Sequence, residues 1–314
     1  MPNYNGVWSL STHYQNRTGW PTSISGNVAM SFGGNVSGYV NTIQYFFIDT
    51  LGNAIDFGDL SEGKNTGGAT CSATRAVFAG GYTGSASVNT IEFVTIASAS
   101  NSSDFGDLTV ARSGLCGGGS ATRGLFAGGG SNVIDYITIS SEGNATDFGD
   151  VYVAAAKAGM CGSSTRALIA GGYVHPNYYN NVGYVTIANT GNTTDFGDLS
   201  AARYSAEGAS SATRAVFGGG IEAGDTTVNT IDYFTIASTG NATDFGNLTA
   251  TRKDHGSASS KVRAVFTGGK AAGSKTATID YITIASTGNG ADFGDLLAAT
   301  QDVESASNSH GGIA

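Results

Sequence analysis

The residues that could do chemistry are six copies of one motif: Asp56–Asp59, Asp104–Asp107, Asp147–Asp150, Asp195–Asp198, Asp244–Asn247 and Asp292–Asp295, all reading Asp-Phe-Gly-Asp except the fifth, which ends in Asn. An Asp-Phe-Gly triplet can hold Mg²⁺ for phosphoryl transfer, but that chemistry uses one copy, with a Gly-rich nucleotide loop and a His-Arg-Asp sequence. Those companions are missing, and the copies recur at steps of 48, 43, 48, 49 and 48 residues. The expectation is structural: each Asp caps a turn or pairs with an arginine.

Two sets of basic residues keep the same rhythm. Lys64, Arg112, Lys157, Arg203 and Arg252 follow the motif, and Arg75, Arg123, Arg166, Arg214 and Arg263 come about a dozen residues later. They could ring a central channel with charge. Repetition in almost every unit favours ion pairs to the motif carboxylates instead, because a binding site usually breaks symmetry. His13, His175, His255 and His310 fall in different parts of the repeat, so no metal site is expected. Cys71, Cys116 and Cys161 are odd in number and lack a Cys-x-x-Cys partner. They read as small buried apolar residues, with Cys116 and Cys161 at matching positions. Two acids meeting on one face would make a glycoside hydrolase; that alternative stays open, and no catalytic centre is expected.

The elements that position these groups follow from the period. In 314 residues there are 48 Gly, only 3 Pro and 12% charged residues. Helical periodicity is absent, and β-branched and aromatic residues form short runs between glycines. The third unit illustrates the pattern. Ser113–Gly119 is a strand of small residues (a), and Arg123–Gly129 is an apolar strand ending in double glycine (b). Val133–Ile139 is rich in β-formers (c), and the motif at Asp147 opens an outer strand (d) after a Gly-Asn turn. Four antiparallel strands per repeat of 45–50 residues describe a propeller blade. Small residues in strand a suit the crowded axis. Phe57, Phe105, Phe148, Phe196, Phe245 and Phe293 are expected to pack between blades.

The ends complete the count. The first unit lacks strand a, and Gln301–Asn308 matches strand a and follows the last d strand. The C-terminal strand is therefore expected to close the first blade, leaving no free sheet edge. The fold class is all-β: a six-bladed propeller over 27–314. Residues 1–26, with Trp8, Leu10, Tyr14 and Trp20, read as an attachment or oligomerisation segment.

The order of Arg, small-residue strand, apolar strand ending in Gly-Gly, strand with Tyr, and an aromatic before the next Arg resembles the kelch repeat over residues 27–309. Phe stands where kelch repeats usually carry Trp. The wording of the repeats, as in Asn229–Leu248, and the opening Gly6–Leu10 and Trp20-Pro21 are similar to structural and tail-fibre proteins of tailed, notably marine, bacteriophages. The resemblance implies a non-catalytic virion protein without a cofactor, whose partners are other virion proteins and host surface polysaccharide. A free-standing protein- or glycan-binding module is the alternative, and a polysaccharide hydrolase ranks third.

Charge and hydropathy narrow the partners. The net charge of −9 repels phosphate backbones, so nucleic acid is not an expected partner. No apolar run approaches the roughly 20 residues of a membrane helix, so insertion is not expected. The N-terminus lacks the pattern of a signal peptide, which agrees with release by lysis. Asn101, Asn144, Asn192 and Asn241 open Asn-x-Ser/Thr sequons but read as turn residues. Asymmetry is the guide to binding: the b–c loops differ most among units. The fourth, with Tyr173, His175, Asn177, Tyr178, Tyr179 and Asn180, has the aromatic and amide content of a sugar site.

Overall fold

The computed structural model describes residues 24–313. Trp8, Leu10, Tyr14 and Trp20 lie outside the described residues. The described chain is all-β apart from one turn of 3-10 helix at Gly311–Ile313. It forms six four-stranded antiparallel sheets, with small two- and three-stranded sheets at their margins.

Each sheet has the order a-b-c-d. In the fourth sheet these are Gly159–Gly162, Arg166–Ala170, Asn181–Thr186 and Thr194–Asp198. In the first sheet strand a comes from the far end of the chain. Glu304–Ser307 pairs with Val28–Phe32, placing Ala29 opposite Ser307 and Phe32 opposite Glu304. The edge left open by the first unit is thus covered by the last strand. Each a strand also lies beside those of the sheets before and after it, and Glu304–Ser307 sits between Gly256–Ser259 and Gly68–Cys71.

The motif Phe residues hold neighbouring sheets together. Strand d carries a bulge against strand c: Val182 pairs with Gly197, but Gly183 already pairs with Asp195. The extra residue turns Phe196 into the space before the fifth sheet. There it joins Leu168, Val182, Phe217 and Phe234 in one buried cluster. Phe57, Phe105, Phe148, Phe245 and Phe293 occupy the other five clusters, each drawn from two adjacent sheets. The cluster of Phe293 joins the sixth sheet to Ala29, Phe46 and Ile48 of the first.

The motif Gly is fixed by the next turn. A Cβ on Gly197 would lie 2.3 Å from the Gly240 carbonyl oxygen, and its φ of +145° is one L side chains rarely adopt. The last motif residue then donates its N–H to an Asn of that turn: Asp107 to Asn144, Asp150 to Asn192, Asp198 to Asn241 and, across the chain ends, Asp295 to Asn53, at 3.0–3.1 Å. The sequon Asn residues are therefore the acceptors that tie one sheet's outer edge to the next.

The basic residues do not pair with the motif carboxylates. None of those carboxylates enters an ion pair among the described residues. Lys64, Arg112, Arg203 and Arg252 instead cross to the strand-c acid of the next sheet (Glu92, Asp135, Asp232 and Asp280) at 2.8–3.1 Å. The strand-b arginines stack on the strand-c aromatic beside them, as Arg214 does on Tyr233 at 4.4 Å. Arg214 also donates to the Ile284 carbonyl in the next sheet. The first sheet has Val28 in place of this arginine, and the Ile24 N–H takes over by donating to the Ala97 carbonyl.

The three cysteines are free and buried, and burial alone raises the Cys71 thiol pKa. Cys116 and Cys161 do not occupy matching positions. Cys116 pairs with Ala127 and Cys161 with Leu168, so they sit two residues apart in the strand-a frame. The second step, of only 43 residues, hid that offset.

Candidate functional site

Because the strands are antiparallel, the b–c loops and the d–a connectors share one end of the array. The fourth, fifth and sixth b–c loops are hairpins: Tyr173–Val174 with Asn177–Tyr178, Ile221–Glu222 with Thr226–Thr227, and Lys270–Ala271 with Ser274–Lys275. The fifth and sixth pair further with the connectors Arg203–Tyr204 and Arg252–Lys253. These pairings hold the loops against the rigid sheets.

The expected residues of the fourth loop divide into two groups. Tyr173, His175, Asn177 and Tyr178 assemble with Tyr204 and Asp225. Ring centroids lie 5.0 Å apart for Tyr173 and Tyr204, 5.2 Å for Tyr173 and Tyr178, and 5.6 Å for Tyr178 and Tyr204. The Tyr173 hydroxyl lies 2.7 Å from His175 Nδ1, and the Tyr178 hydroxyl donates to Asp225 Oδ1 at 2.9 Å. That bond is the first cause of a raised Tyr178 pKa, followed by desolvation and the Asp225 charge. Tyr173, Tyr178 and Tyr204 are half-buried, while His175, Asn177 and Asp225 are exposed. Tyr179 and Asn180 work through their backbone: the Tyr179 carbonyl accepts from Arg203 and that of Asn180 from Leu199.

Beside this patch lies an ion cluster on the array axis. Lys157 Nζ donates to Asp254 Oδ1 at 2.6 Å and to Asp302 Oδ1 at 3.1 Å, and Ser205 Oγ donates to Asp254 at 3.0 Å. Lys157, Ser205, Asp254 and Asp302 come from four successive connectors, each with φ of +53° to +55°. Glu207 and Glu304 border the same small cavity, of about 20 Å³. Burial, then repulsion from Asp254, pushes the Glu207 pKa up to about 8, with Lys157 opposing. Burial and the neighbouring Glu207 raise Glu304 in the same way. Burial works against the Lys157 charge, but the two aspartates outweigh it and its pKa rises. Of the basic residues read as a possible channel ring, only Lys157 reaches the axis.

The other end of the axis is covered. Ser309–Ile313 crosses the a–b turns: His310 Nε2 lies 3.1 Å from the Cys71 carbonyl, and the Ala121 N–H donates to the Gly312 carbonyl. A Cβ on Gly311 or Gly312 would come within 2.2 Å of a backbone oxygen, so only glycine fits there. The space between these ends, lined by the a strands, is about 50 Å³, room for a water or two. His255 is buried beside Phe266 with both ring nitrogens unpartnered, and burial, then the Arg252 charge, lowers its pKa to about 3.

Among the described residues, no group of three or more His, Cys, Asp or Glu is arranged to hold a metal ion, and no helix is long and apolar enough to cross a membrane. Sequence reading missed Tyr204, Asp225, Asp254 and Asp302. The available signal was asymmetry at one repeat position, which carries Thr66, Gly114, Lys157, Ser205, Asp254 and Asp302 in turn. No protein-family model and no curated protein matches the chain.

Proposed function

We propose that the chain is a six-bladed propeller of the kelch type that acts by binding, without catalysis. Six four-stranded sheets, six inter-sheet cores and a first sheet completed by the C-terminal strand support the propeller reading. The binding reading rests on one observation: three half-exposed tyrosines with His175, Asn177 and Asp225 at their rim, on loops pinned to a rigid scaffold. Tyrosine faces suit the C–H faces of sugar rings, and the polar rim suits their hydroxyls.

The site is a glycan platform on a virion component, a tail, fibre or capsid-surface protein. It touches host surface polysaccharide or a neighbouring virion subunit, with no nucleic-acid partner and no cofactor. The virion assignment rests on the wording of the repeats. A glycan array with the intact protein tests the platform. Binding of a defined host saccharide, lost in Tyr173→Ala/Tyr204→Ala at unchanged thermal stability, is the expected result; binding that survives in that variant would remove the site from the patch. Mass spectrometry of purified particles tests the location.

A further inference from the structure

Among the described residues, two junctions lack the ion pair that the other four carry. Between the sixth and first sheets Thr300 and Gln44 stand in its place, and Gln44 Oε1 accepts from the Leu297 N–H. Between the third and fourth sheets no polar pair replaces it. Arg112, on the connector after the second sheet, reaches into the third. Its Nη1 donates to the Gly128 and Val133 carbonyls at 3.0 and 2.6 Å, and its Nη2 to Phe126 O and Asp135 Oδ2 at 3.2 and 2.8 Å. Asp135 also accepts from the backbone and hydroxyl of Thr109. Arg203 with Asp232 and Ser200, and Arg252 with Asp280 and Thr249, repeat the arrangement.

Between the third and fourth sheets all three polar members are replaced together. Tyr152 stands in place of Thr109, Ala155 in place of Arg112, and Gly183 in place of Asp135. The backbone fixes the correspondence. Gly129 N–H donates to Ala155 O as Gly81 N–H does to Arg112 O. Gly183 lies opposite Ile169 as Asp135 lies opposite Phe126.

The replacements leave a slot of about 20 Å³ bordered by Ala155, Ile169, Gly171, Asn181 and Gly183. It shares the walls of Tyr152, Asn181, Gly183 and Thr193 with an outer cleft of about 330 Å³ that Asp195 also lines. The carbonyls of Ile169, Gly171 and Asn181 correspond to those that Arg112 holds. Among the described residues no side chain donates to them. Asn181 Oδ1 is buried without a hydrogen-bond partner. Tyr152 stands at the mouth, 84% exposed.

We propose that this slot takes an arginine side chain from a protein partner, which supplies in trans the guanidinium that Arg112, Arg203 and Arg252 supply in cis at three other junctions. Among the described residues, the Asn181 carbonyl has only the Gly171 N–H as donor and Asn181 Oδ1 has none, where Arg112 adds side-chain donors at its own junction. The occupant that fits is therefore one that donates. A planar fork with five N–H groups meets several carbonyls at once, as Arg112 does. The Tyr152 ring offers a face for the guanidinium to stack on, and Asp195 a negative charge at the mouth. An anionic occupant would face the Ile169, Gly171 and Asn181 carbonyls and the Asp195 carboxylate.

The test is NMR titration of the intact protein with N-acetyl-arginine methylamide and with its citrulline counterpart, which has the same shape without the charge. The expected result is saturable shifts at Asn181 and Gly183, with citrulline weaker by about tenfold or more, since charge-assisted hydrogen bonds are about twice as strong as neutral ones. Refilling the slot with Ala155→Arg/Gly183→Asp/Thr193→Ala should abolish the shifts without lowering Tm. The third change removes Thr193 Oγ1 and Cγ2, each 3.5 Å from a Cβ on Gly183, and leaves the Cβ that Ala145 and Ala242 carry at the same repeat position. Tyr152→Ala, at an exposed position that cannot disturb the core, should weaken binding whether or not the refilled variant folds. Absence of saturable shifts, equal binding of citrulline, or undiminished binding by Tyr152→Ala would each overturn the proposal.

Discussion

The two ends of the sheet array follow different rules. At the c–d turn end every junction repeats the same contacts: a motif Phe in the core, a motif Gly under the next turn, and an Asn accepting from strand d. At the loop end the loops differ from unit to unit, although the fifth and sixth share a hairpin paired with its connector. The third b–c loop is almost absent, the fourth gathers tyrosines, and the connectors place Lys157, Asp254 and Asp302 on the axis. Contacts repeated in every unit hold the fold. Residues that depart from the repeat carry whatever is particular to this protein, and they cluster at one end and at two junctions.

Breaking the repeated contacts should cost most. Deleting residues 299–314 removes strand a of the first sheet and the segment across the axis, exposing an unpaired sheet edge. The expected outcome is aggregation on expression; a soluble truncation with one cooperative melting transition would contradict the closure. Phe196→Ala leaves a cavity between the fourth and fifth sheets and should cost about 3–5 kcal/mol in urea unfolding.

Changes at the loop end should act differently. Glu207 in the folded chain holds its proton up to about pH 8, whereas an unfolded glutamate releases it near ~4.3. Its contribution to stability is complete at low pH and declines as pH rises through that window, because the unfolded chain there binds fewer protons. Glu207→Gln should therefore flatten the fall of Tm between pH 5 and 8 and leave the variant more stable than the parent at pH 8. Glu304, shifted the same way, leaves some slope. The smallest effect belongs to one regular contact: Asn241→Ala removes the acceptor of the Asp198 N–H at the exposed turn and should cost about 1 kcal/mol.

What repeats along the chain was legible, since a period states which residues do the same job. The strand order, the packing role of Phe57 to Phe293 and the pairing of Glu304–Ser307 with the first sheet could all be read from it. Partners across junctions could not. Arg203 is far nearer in sequence to the Asp195 carboxylate than to Asp232, yet it pairs with Asp232 on strand c of the next sheet. The axial cluster was hidden for the same reason, because Lys157 and Asp302 are distant in sequence and meet only when the array closes. Even so, Gly183 in a strand that elsewhere carries Asp, Glu or Gln was visible as a departure. The fourth b–c loop drew attention first because its tyrosines are adjacent in sequence.

The central claim is that the irregular end meets the partner while the regular end holds the fold. Cryo-electron microscopy of purified particles tests it most directly. The account predicts six four-stranded sheets in a closed ring, with the b–c loops and Tyr173, Tyr178 and Tyr204 facing outward or against a neighbouring subunit. A ring docked through its c–d turns, with the loop end making no contact even when saccharide is added, would contradict it, as would absence of the chain from the particles.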